Sequence, residues 1–135
     1  MSNPIEPSLF LRRVLAADAL VSVAMGAAMA LGAAALQGLL GLPASLLMLA
    51  GLALFPYAGY LLWLRTRRVV PRAAVWVPIV LNLLWAAECL FVAFGSSPQP
   101  TLLGEAFIAA HVVTVLGFAE LEFVGLRRAC AIVAA

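Results

Sequence analysis

Long apolar stretches separated by short polar ones dominate the chain. The apolar stretches cover residues 14–36, 44–64, 73–94 and 102–126. A helix needs about 20 apolar residues to cross the hydrocarbon core of a bilayer, and each stretch is long enough. Only helices and closed barrels satisfy the backbone in lipid, and the alternating polarity of barrel strands is absent. The pattern therefore predicts four transmembrane helices.

The overall composition agrees with this pattern. The chain has 135 residues, of which 66% are hydrophobic and 10% are charged. Soluble domains are about 45–50% apolar and about 25% charged. A chain this apolar has too few polar side chains to cover a surface that faces water. We therefore expect an all-α, four-helix transmembrane bundle that forms a single domain over residues 1–135.

The basic residues are distributed on one side of the predicted topology. All eight are arginines, and each lies before the first span, between the second and third, or after the fourth; they are Arg12, Arg13, Arg65, Arg67, Arg68, Arg72, Arg127 and Arg128. Cytoplasmic loops of membrane proteins carry an excess of basic residues. We therefore expect both termini and the middle loop to lie in the cytoplasm.

A few polar side chains interrupt the predicted spans. They are Asp18, Asn82, Glu88, Glu105, His111, Thr114, Glu120 and Glu122. An acid at the centre of a transmembrane helix costs about 2.5–3.5 kcal/mol on insertion scales. Such residues usually face other helices or a water-filled cavity, and they are functional candidates.

Glu88 and His111 are the strongest pair among these residues. Counted from the loop between the third and fourth spans, they lie about 9 Å and about 12 Å deep. The two helices are expected to be antiparallel neighbours, so a pair between the two side chains is predicted. Asn82 and Trp85 lie close to Glu88 on the third span, and Asp18 lies nearer the cytoplasmic end of the first. A structural buried pair and a binding or proton-relay site both remain open.

The cytoplasmic end of the fourth span carries a second group of charges. Glu120 and Glu122 precede Arg127, and Glu120 lies two helical turns before that arginine. We expect these residues to form a charge cluster at the inner membrane interface. Such a cluster would fix the helix end rather than bind a ligand.

Several classes of function lack support in the chain. A single histidine does not supply the two axial ligands of a membrane b-type haem, and the carboxylates lack the spacing of zinc ligands. Phosphate-binding loops and the common hydrolase motifs are absent from the sequence. We expect no metal, no cofactor and no catalytic residue, and enzymatic activity is disfavoured. The arginines of residues 65–72 fit topology and anionic headgroups better than nucleic acid.

Three short phrases carry a resemblance. "LRRVLAADALVS", "LNLLW" and "FAELEFVGLRR" resemble sequences of a group of small, uncharacterised bacterial integral membrane proteins with four spans. The resemblance implies a multi-pass protein of the bacterial inner membrane, and it carries over no binding or catalytic residue. The small multidrug resistance transporters also have four spans and an acid in the first. Many of them insert in both orientations, which the one-sided arginines of this chain disfavour.

Two functions from different classes fit these observations. The first is a membrane site for a small ligand or for protons, held by Glu88 and His111 with Asn82 and Trp85 nearby and Asp18 at the cytoplasmic exit. The second is an accessory or assembly subunit of a larger membrane complex. As partners we expect membrane lipid and either another membrane protein or a parallel homo-oligomer. A site for a lipid or a quinone between kinked helices is a third possibility.

Overall fold

The structure, a computed structural model, describes the backbone of residues 3–134 and the side chains of residues 3–129. The helices of this part of the chain are α1 (Leu9–Leu31), α2 (Ala33–Leu40), α3 (Ala44–Thr66), α4 (Arg72–Phe94) and α5 (Leu102–Ala134). Two short strands, β1 (Pro4–Ile5) and β2 (Val70–Pro71), pair in an antiparallel ladder. Helices α1, α3, α4 and α5 are long and apolar enough to cross a membrane. The prediction of an all-helical protein with four such helices is confirmed.

The first predicted span differs most from the structure. It was expected at 14–36, but α1 begins at Leu9 and ends at Leu31, and α2 follows after Gly32. The side chain of Ser8 starts α1 by accepting a hydrogen bond from the Leu11 nitrogen. The nitrogen of Gly32 still donates to the Ala28 oxygen, so the break is a bend rather than a loop. Glycine permits this bend because it restricts the backbone least.

Two glycines bring α1 and α3 into backbone contact. A Cβ atom on Gly26 would lie 2.7 Å from the Gly51 oxygen, and one on Gly51 would lie 2.8 Å from the Ala30 nitrogen. Helices in lipid associate through close packing of small residues of this kind. Asp18 and Ser22 precede Gly26 at intervals of four residues, so all three lie on the same face of α1, and all three are buried. The glycine contact therefore also turns these two polar side chains toward the interior.

The arginines lie at one end of the bundle. The Arg12 guanidinium donates to the backbone oxygens of Arg65 and Arg67 at the end of α3, the second of these over 2.8 Å. At the end of α5, the Arg128 guanidinium lies 4.8 Å from the ring centre of Phe10. The β1–β2 ladder joins the N-terminal segment to the loop before α4. The N-terminus, the middle loop and the end of α5 thus meet at the same end.

The opposite end is closed by a contact between α2 and α5. Thr101 donates from its nitrogen to the Leu40 oxygen over 2.9 Å and from its hydroxyl to the Leu39 oxygen over 2.7 Å. The same hydroxyl accepts a bond from the Gly104 nitrogen and caps α5. A Cβ atom on Gly104 would overlap the Leu40 oxygen. The close approach of these two helices therefore depends on a glycine at this position.

The spanning helices pack as two pairs, α1 with α3 and α4 with α5. Helix α1 also packs on α5, whereas α3 and α4 touch very little. One apolar core, which includes Leu15 and Leu61, lies toward the arginine end, and a second, which includes Met29 and Ile108, lies toward the other end. The buried polar side chains of Asp18 and Asn82 lie between these two cores.

Candidate functional site

A cluster of buried polar side chains lies where the two helix pairs meet. Helix α1 contributes Asp18 and Ser22, α3 contributes Tyr57, α4 contributes Asn82 and α5 contributes Glu122. We call these five residues the polar cluster. Four of them are buried and Tyr57 is half-buried, and Glu122 has no exposed surface. All four spanning helices therefore contribute to one internal polar site.

Asp18 is the main hydrogen-bond acceptor of the polar cluster. Tyr57 donates from its hydroxyl to Oδ2 of Asp18 over 2.7 Å, and Ser22 donates to Oδ1 over 3.3 Å. The Nδ2 atom of Asn82 donates to Asp18 Oδ2 over 3.2 Å and to Glu122 Oε2 over 3.3 Å. An amide nitrogen carries two protons, so it can serve both acceptors. Asn82 thereby links the two acidic side chains.

Glu122 is less well satisfied than Asp18. Its Oε1 atom is buried and has no hydrogen-bond partner among the described residues. No described arginine lies within ion-pair distance of either carboxyl group, because the arginines lie at the end of the bundle. Buried polar atoms without a partner are uncommon in folded proteins, and often mark a site that exchanges protons, water or a ligand. The two acids are therefore candidates for a functional role, in addition to the contacts that they make between helices.

A cavity of about 300 Å³ adjoins the polar cluster. Asp18, Ser22, Tyr57 and Asn82 form one part of its wall, and Glu88 and His111 form another. On α4, Asn82 and Glu88 are six residues apart, so these two parts are separated by about 9 Å along the helix. The remainder of the wall is mostly aliphatic and includes three aromatic side chains, Trp85, Phe107 and Phe118. The lining is thus mostly apolar, with acidic groups at separate points.

The cavity reaches the surface of the bundle. Leu81, Leu84 and Glu88 on α4 line it and are also exposed, as are Ala110 and Thr114 on α5. These positions lie within helices that are long and apolar enough to cross a membrane, and not in a loop. The cavity therefore opens on the side of the helix bundle.

His111 is held firmly at its place in the cavity wall. Its Nδ1 atom lies 3.2 Å from the Phe107 oxygen one turn earlier, and because a carbonyl only accepts, Nδ1 carries a proton. The ring makes an edge contact with the Phe107 ring at 4.5 Å between centres, and Trp85 lies at 6.5 Å. The Nε2 atom is buried without a hydrogen-bond partner in the described part of the chain. His111 thus has one ring nitrogen free for chemistry.

The structure places five predicted site residues around this one cavity. Asp18, Asn82, Trp85, Glu88 and His111 all line it. The predicted pair between Glu88 and His111 does not form, since the described residues contain no ion pair or hydrogen bond between them. Glu88 lies on the exposed face of α4 with Leu81 and Leu84, whereas His111 is buried on α5. Similar depth along the two helices suggested the pairing. It does not form, because one side chain is on the exposed face of its helix and the other is on a buried face.

The predicted charge cluster at the inner interface does not form as expected. Glu122 is buried beside Asn82 and has no contact with Arg127, whose guanidinium lies 5.8 Å from the Phe123 ring centre. Glu120 lies two residues before Glu122 and therefore about 200° around the helix from it. Because Glu122 faces the interior, Glu120 is exposed. The prediction assumed that the span ends at 126, but α5 continues to Ala134. The hydrogen bond from Asn82 and the complete burial of the Glu122 side chain place this residue within the bundle.

Sequence reasoning missed the roles of Tyr57 and Glu122, although both had signals. Tyr57 lies between Leu54 and Leu61, which belong to the buried face of α3. Glu122 follows His111 by eleven residues, or about three turns, so both lie on one face of α5. If one of the two faces the interior, the other must also do so. This spacing identifies Glu122 as an internal acid without any structure.

Neither a cluster of metal ligands nor a comparison with known proteins indicates a function for this site. Among the described residues, no three histidine, cysteine or acidic side chains come together as a metal site would require. No protein-family model, curated protein or solved structure matches the chain. The function is therefore inferred from the geometry of the cavity and the polar cluster.

Proposed function

We propose that the protein binds a small, largely apolar solute in the cavity between its two helix pairs and carries it across the bacterial inner membrane. The observation that carries this proposal is the cavity of about 300 Å³ whose wall includes Asp18 and Asn82 of the polar cluster. Ligand sites are commonly cavities of about 300–1,000 Å³ with apolar walls and a few polar groups that fix orientation. The acids of the polar cluster provide the polar groups of such a site.

The position of the openings supports access from the lipid. Leu81, Leu84 and Thr114 line the cavity and are exposed within spanning helices. An apolar solute concentrates in the bilayer, so it would meet these openings without crossing an aqueous loop. Glu88 at the same surface then provides the first charged group that it contacts.

The arginines support an orientation for this carrier. Because they meet at one end of the bundle, that end is the cytoplasmic one under the positive-inside rule. Both termini and the loop of residues 67–71 then lie in the cytoplasm. The polar cluster lies nearer this end than Glu88 and His111 do. A solute that enters near Glu88 would move toward the cytoplasm as it approaches Asp18.

Binding is tested with a single-tryptophan protein. Replacing Trp63 and Trp76 with phenylalanine leaves Trp85 as a fluorescent reporter in the cavity wall. Two probes of nearly the same shape are titrated, benzyltrimethylammonium and its neutral analogue neopentylbenzene. We expect saturable quenching by at least one probe, and uptake of that probe into proteoliposomes.

A cavity-filling variant makes this test specific. Ala110→Trp places a large side chain at the cavity wall, so it should abolish saturable binding and uptake. Ala87→Trp is the matched control, because Ala87 is exposed on α4 and lies outside the cavity. These variants are compared by uptake of the radiolabelled probe, since each adds a tryptophan. Absence of saturable binding by both probes, or equal uptake by both variants, would overturn the proposal.

A second function, as an accessory subunit of a membrane complex, is favoured by one observation. Glu120 is exposed on α5, about 10 Å along the helix from Arg127, at a depth where a carboxylate facing lipid is unfavourable. A partner helix that donates to Glu120 would remove this cost. Purification in a mild detergent should then recover a stoichiometric partner that Glu120→Leu loses. Recovery of the chain alone, or as a homo-oligomer, would count against this function.

A further inference from the structure

The charge of the cavity wall defines the class of solute. The ionisable lining residues are Asp18, Tyr57, Glu88 and His111, and the lining residue Asn82 donates to a further acid, Glu122. The groups that carry a negative charge at neutral pH are therefore the carboxylates. Among the described residues, no arginine lines the cavity. Such a wall repels an anion, and a neutral solute would gain no charge–charge attraction from the acids. A positively charged solute is the one that complements it.

The aromatic lining points in the same direction. Trp85, Phe107 and Phe118 line the same cavity as the acids Asp18 and Glu88. The face of an aromatic ring attracts a cation through the quadrupole of the ring. The same rings provide apolar surface for a hydrocarbon substituent. An organic cation with an aromatic or alkyl group uses both properties of the wall.

The two linked acids lack a permanent positive partner. Asp18 and Glu122 accept hydrogen bonds from one nitrogen of Asn82, and the described arginines lie elsewhere. Two ionised carboxylates this close in a low-dielectric interior repel each other and lose their hydration. Sharing one proton relieves both costs. The unpartnered Oε1 of Glu122 offers a place for that proton.

We infer that the solute is an organic cation and that its binding displaces a proton held by the Asp18–Glu122 pair. This inference rests on the proposed function. In the free protein the pair holds one proton and one negative charge. When the cation occupies the cavity, its charge stabilises both carboxylates, and the proton leaves as H⁺ to water. One positive charge enters the site and one leaves, with no covalent or redox step.

The other titratable groups around the pair are few. Tyr57 on α3 donates to Asp18, His111 lies about three turns along α5 from Glu122, and Glu88 lies farther along the cavity on α4. Asn82, which donates to both acids, is neutral and does not titrate. A proton released upon binding should therefore depend on Asp18 and Glu122, and not on an exposed acid such as Glu105.

The test compares the two probes of equal shape in the single-tryptophan protein. We expect benzyltrimethylammonium to bind about tenfold more tightly than neopentylbenzene, because only the former uses the acids and the cation–π contacts. In weakly buffered solution with a pH indicator, its binding should release about one proton per protein. Equal or tighter binding of the neutral probe would overturn the inference while leaving the proposed cavity function intact.

Variants and pH identify the source of the proton. Glu122→Gln keeps an acceptor for Asn82 but removes the second acid, so binding should continue without proton release. Glu105→Gln is the matched control and should release the proton as the original protein does. Undiminished release from both Glu122→Gln and Asp18→Asn would overturn the assignment, as would binding without release in the original protein.

The pH dependence of binding can be measured without substituting either acid, so a misfolded variant cannot affect the result. If binding releases one proton, the affinity for the cation rises about tenfold per pH unit over the range in which the pair is protonated. The affinity for the neutral analogue should change little over the same range. A cation affinity independent of pH would overturn the exchange of cation for proton.

Discussion

Asn82 on α4 donates a hydrogen bond of 3.2 Å from Nδ2 to Oδ2 of Asp18 on α1, and so joins the two helix pairs. Within each pair the helices pack extensively, but α3 and α4 touch very little. Polar contacts therefore contribute to holding the pairs together across the cavity. Interhelical hydrogen bonds in membrane proteins contribute about 0.6 kcal/mol on average and up to about 1.7 kcal/mol.

Removal of the Asn82 amide should loosen the association of the two pairs. Asn82→Leu keeps a similar volume but leaves Asp18 and Glu122 without their common donor. We expect the free energy of unfolding in detergent to fall by about 1–3 kcal/mol, because both acceptors stay buried. The measurement is denaturant unfolding followed by circular dichroism.

The control for this variant is a neighbouring position on the same helix. Leu83 is exposed and lies outside the cavity, so Leu83→Ala should change the free energy of unfolding by less than about 0.5 kcal/mol. If the two variants are equally stable, Asn82 does not link the helix pairs in the way the structure indicates.

The glycine contact between α1 and α3 gives a second prediction. A Cβ atom on Gly51 would lie 2.8 Å from the backbone oxygen of Gly26, which cannot move without shifting α1. Gly51→Ala should therefore lower the free energy of unfolding by about 1–3 kcal/mol, as overpacking usually does. Thermal unfolding in detergent measures the change.

Gly59 provides the matched control on the same helix. Apart from its chain neighbours and the nearby backbone of its own helix, no atom lies within 4 Å of a Cβ built there, so Gly59→Ala should be neutral or stabilising by up to about 1 kcal/mol. A loss of stability in Gly59→Ala equal to that in Gly51→Ala would show that α3 tolerates no alanine for reasons other than contact with α1.

The elements that depend on local composition were predictable from the sequence. Apolar length placed the second and third spans at 44–64 and 73–94, against α3 at Ala44–Thr66 and α4 at Arg72–Phe94. The bend at Gly32 was not predictable, because Gly26 in the same helix causes no bend. A glycine permits a bend, but only contacts with other helices decide whether it occurs.

The candidate site was only partly predictable for a related reason. Polar residues within spans identified Asp18, Asn82 and Glu88 as candidates, and all three line the cavity. Their partners depend on how each helix is rotated, which depth alone does not determine. The expected partner of Glu88 was His111, whereas the hydrogen bonds of the structure join Asp18 to Asn82 and Tyr57.

Arg12 gives a prediction that separates geometry from charge. Its guanidinium donates to the oxygens of Pro7, Arg65 and Arg67, and so binds the end of α3 to the start of α1. Arg12→Lys keeps the positive charge but loses the planar arrangement of donors. We expect the melting temperature in detergent to fall by several degrees, which corresponds to about 1–2 kcal/mol.

The adjacent arginine is the control for charge and topology. Arg13 is exposed, so Arg13→Lys should leave the melting temperature unchanged within about one degree. Both variants keep the same number of positive charges before α1. If Arg12→Lys is as stable as Arg13→Lys, the contacts with α3 do not contribute to stability in the membrane-mimetic environment.

The orientation of the bundle is tested by cysteine labelling in intact cells. Val69 lies in the loop at the arginine end, and Ser96 lies in the loop between α4 and α5. Both are exposed, so a cysteine at either position should react readily. In a background with Cys89 and Cys130 replaced by alanine, a membrane-impermeant maleimide should label Ser96→Cys in intact cells. It should label Val69→Cys only after the membrane is permeabilised, because the positive-inside rule predicts a cytoplasmic position for the loop with the arginines. Labelling of Val69→Cys in intact cells would reverse the orientation, and the polar cluster would then lie nearer the outer surface than Glu88 does.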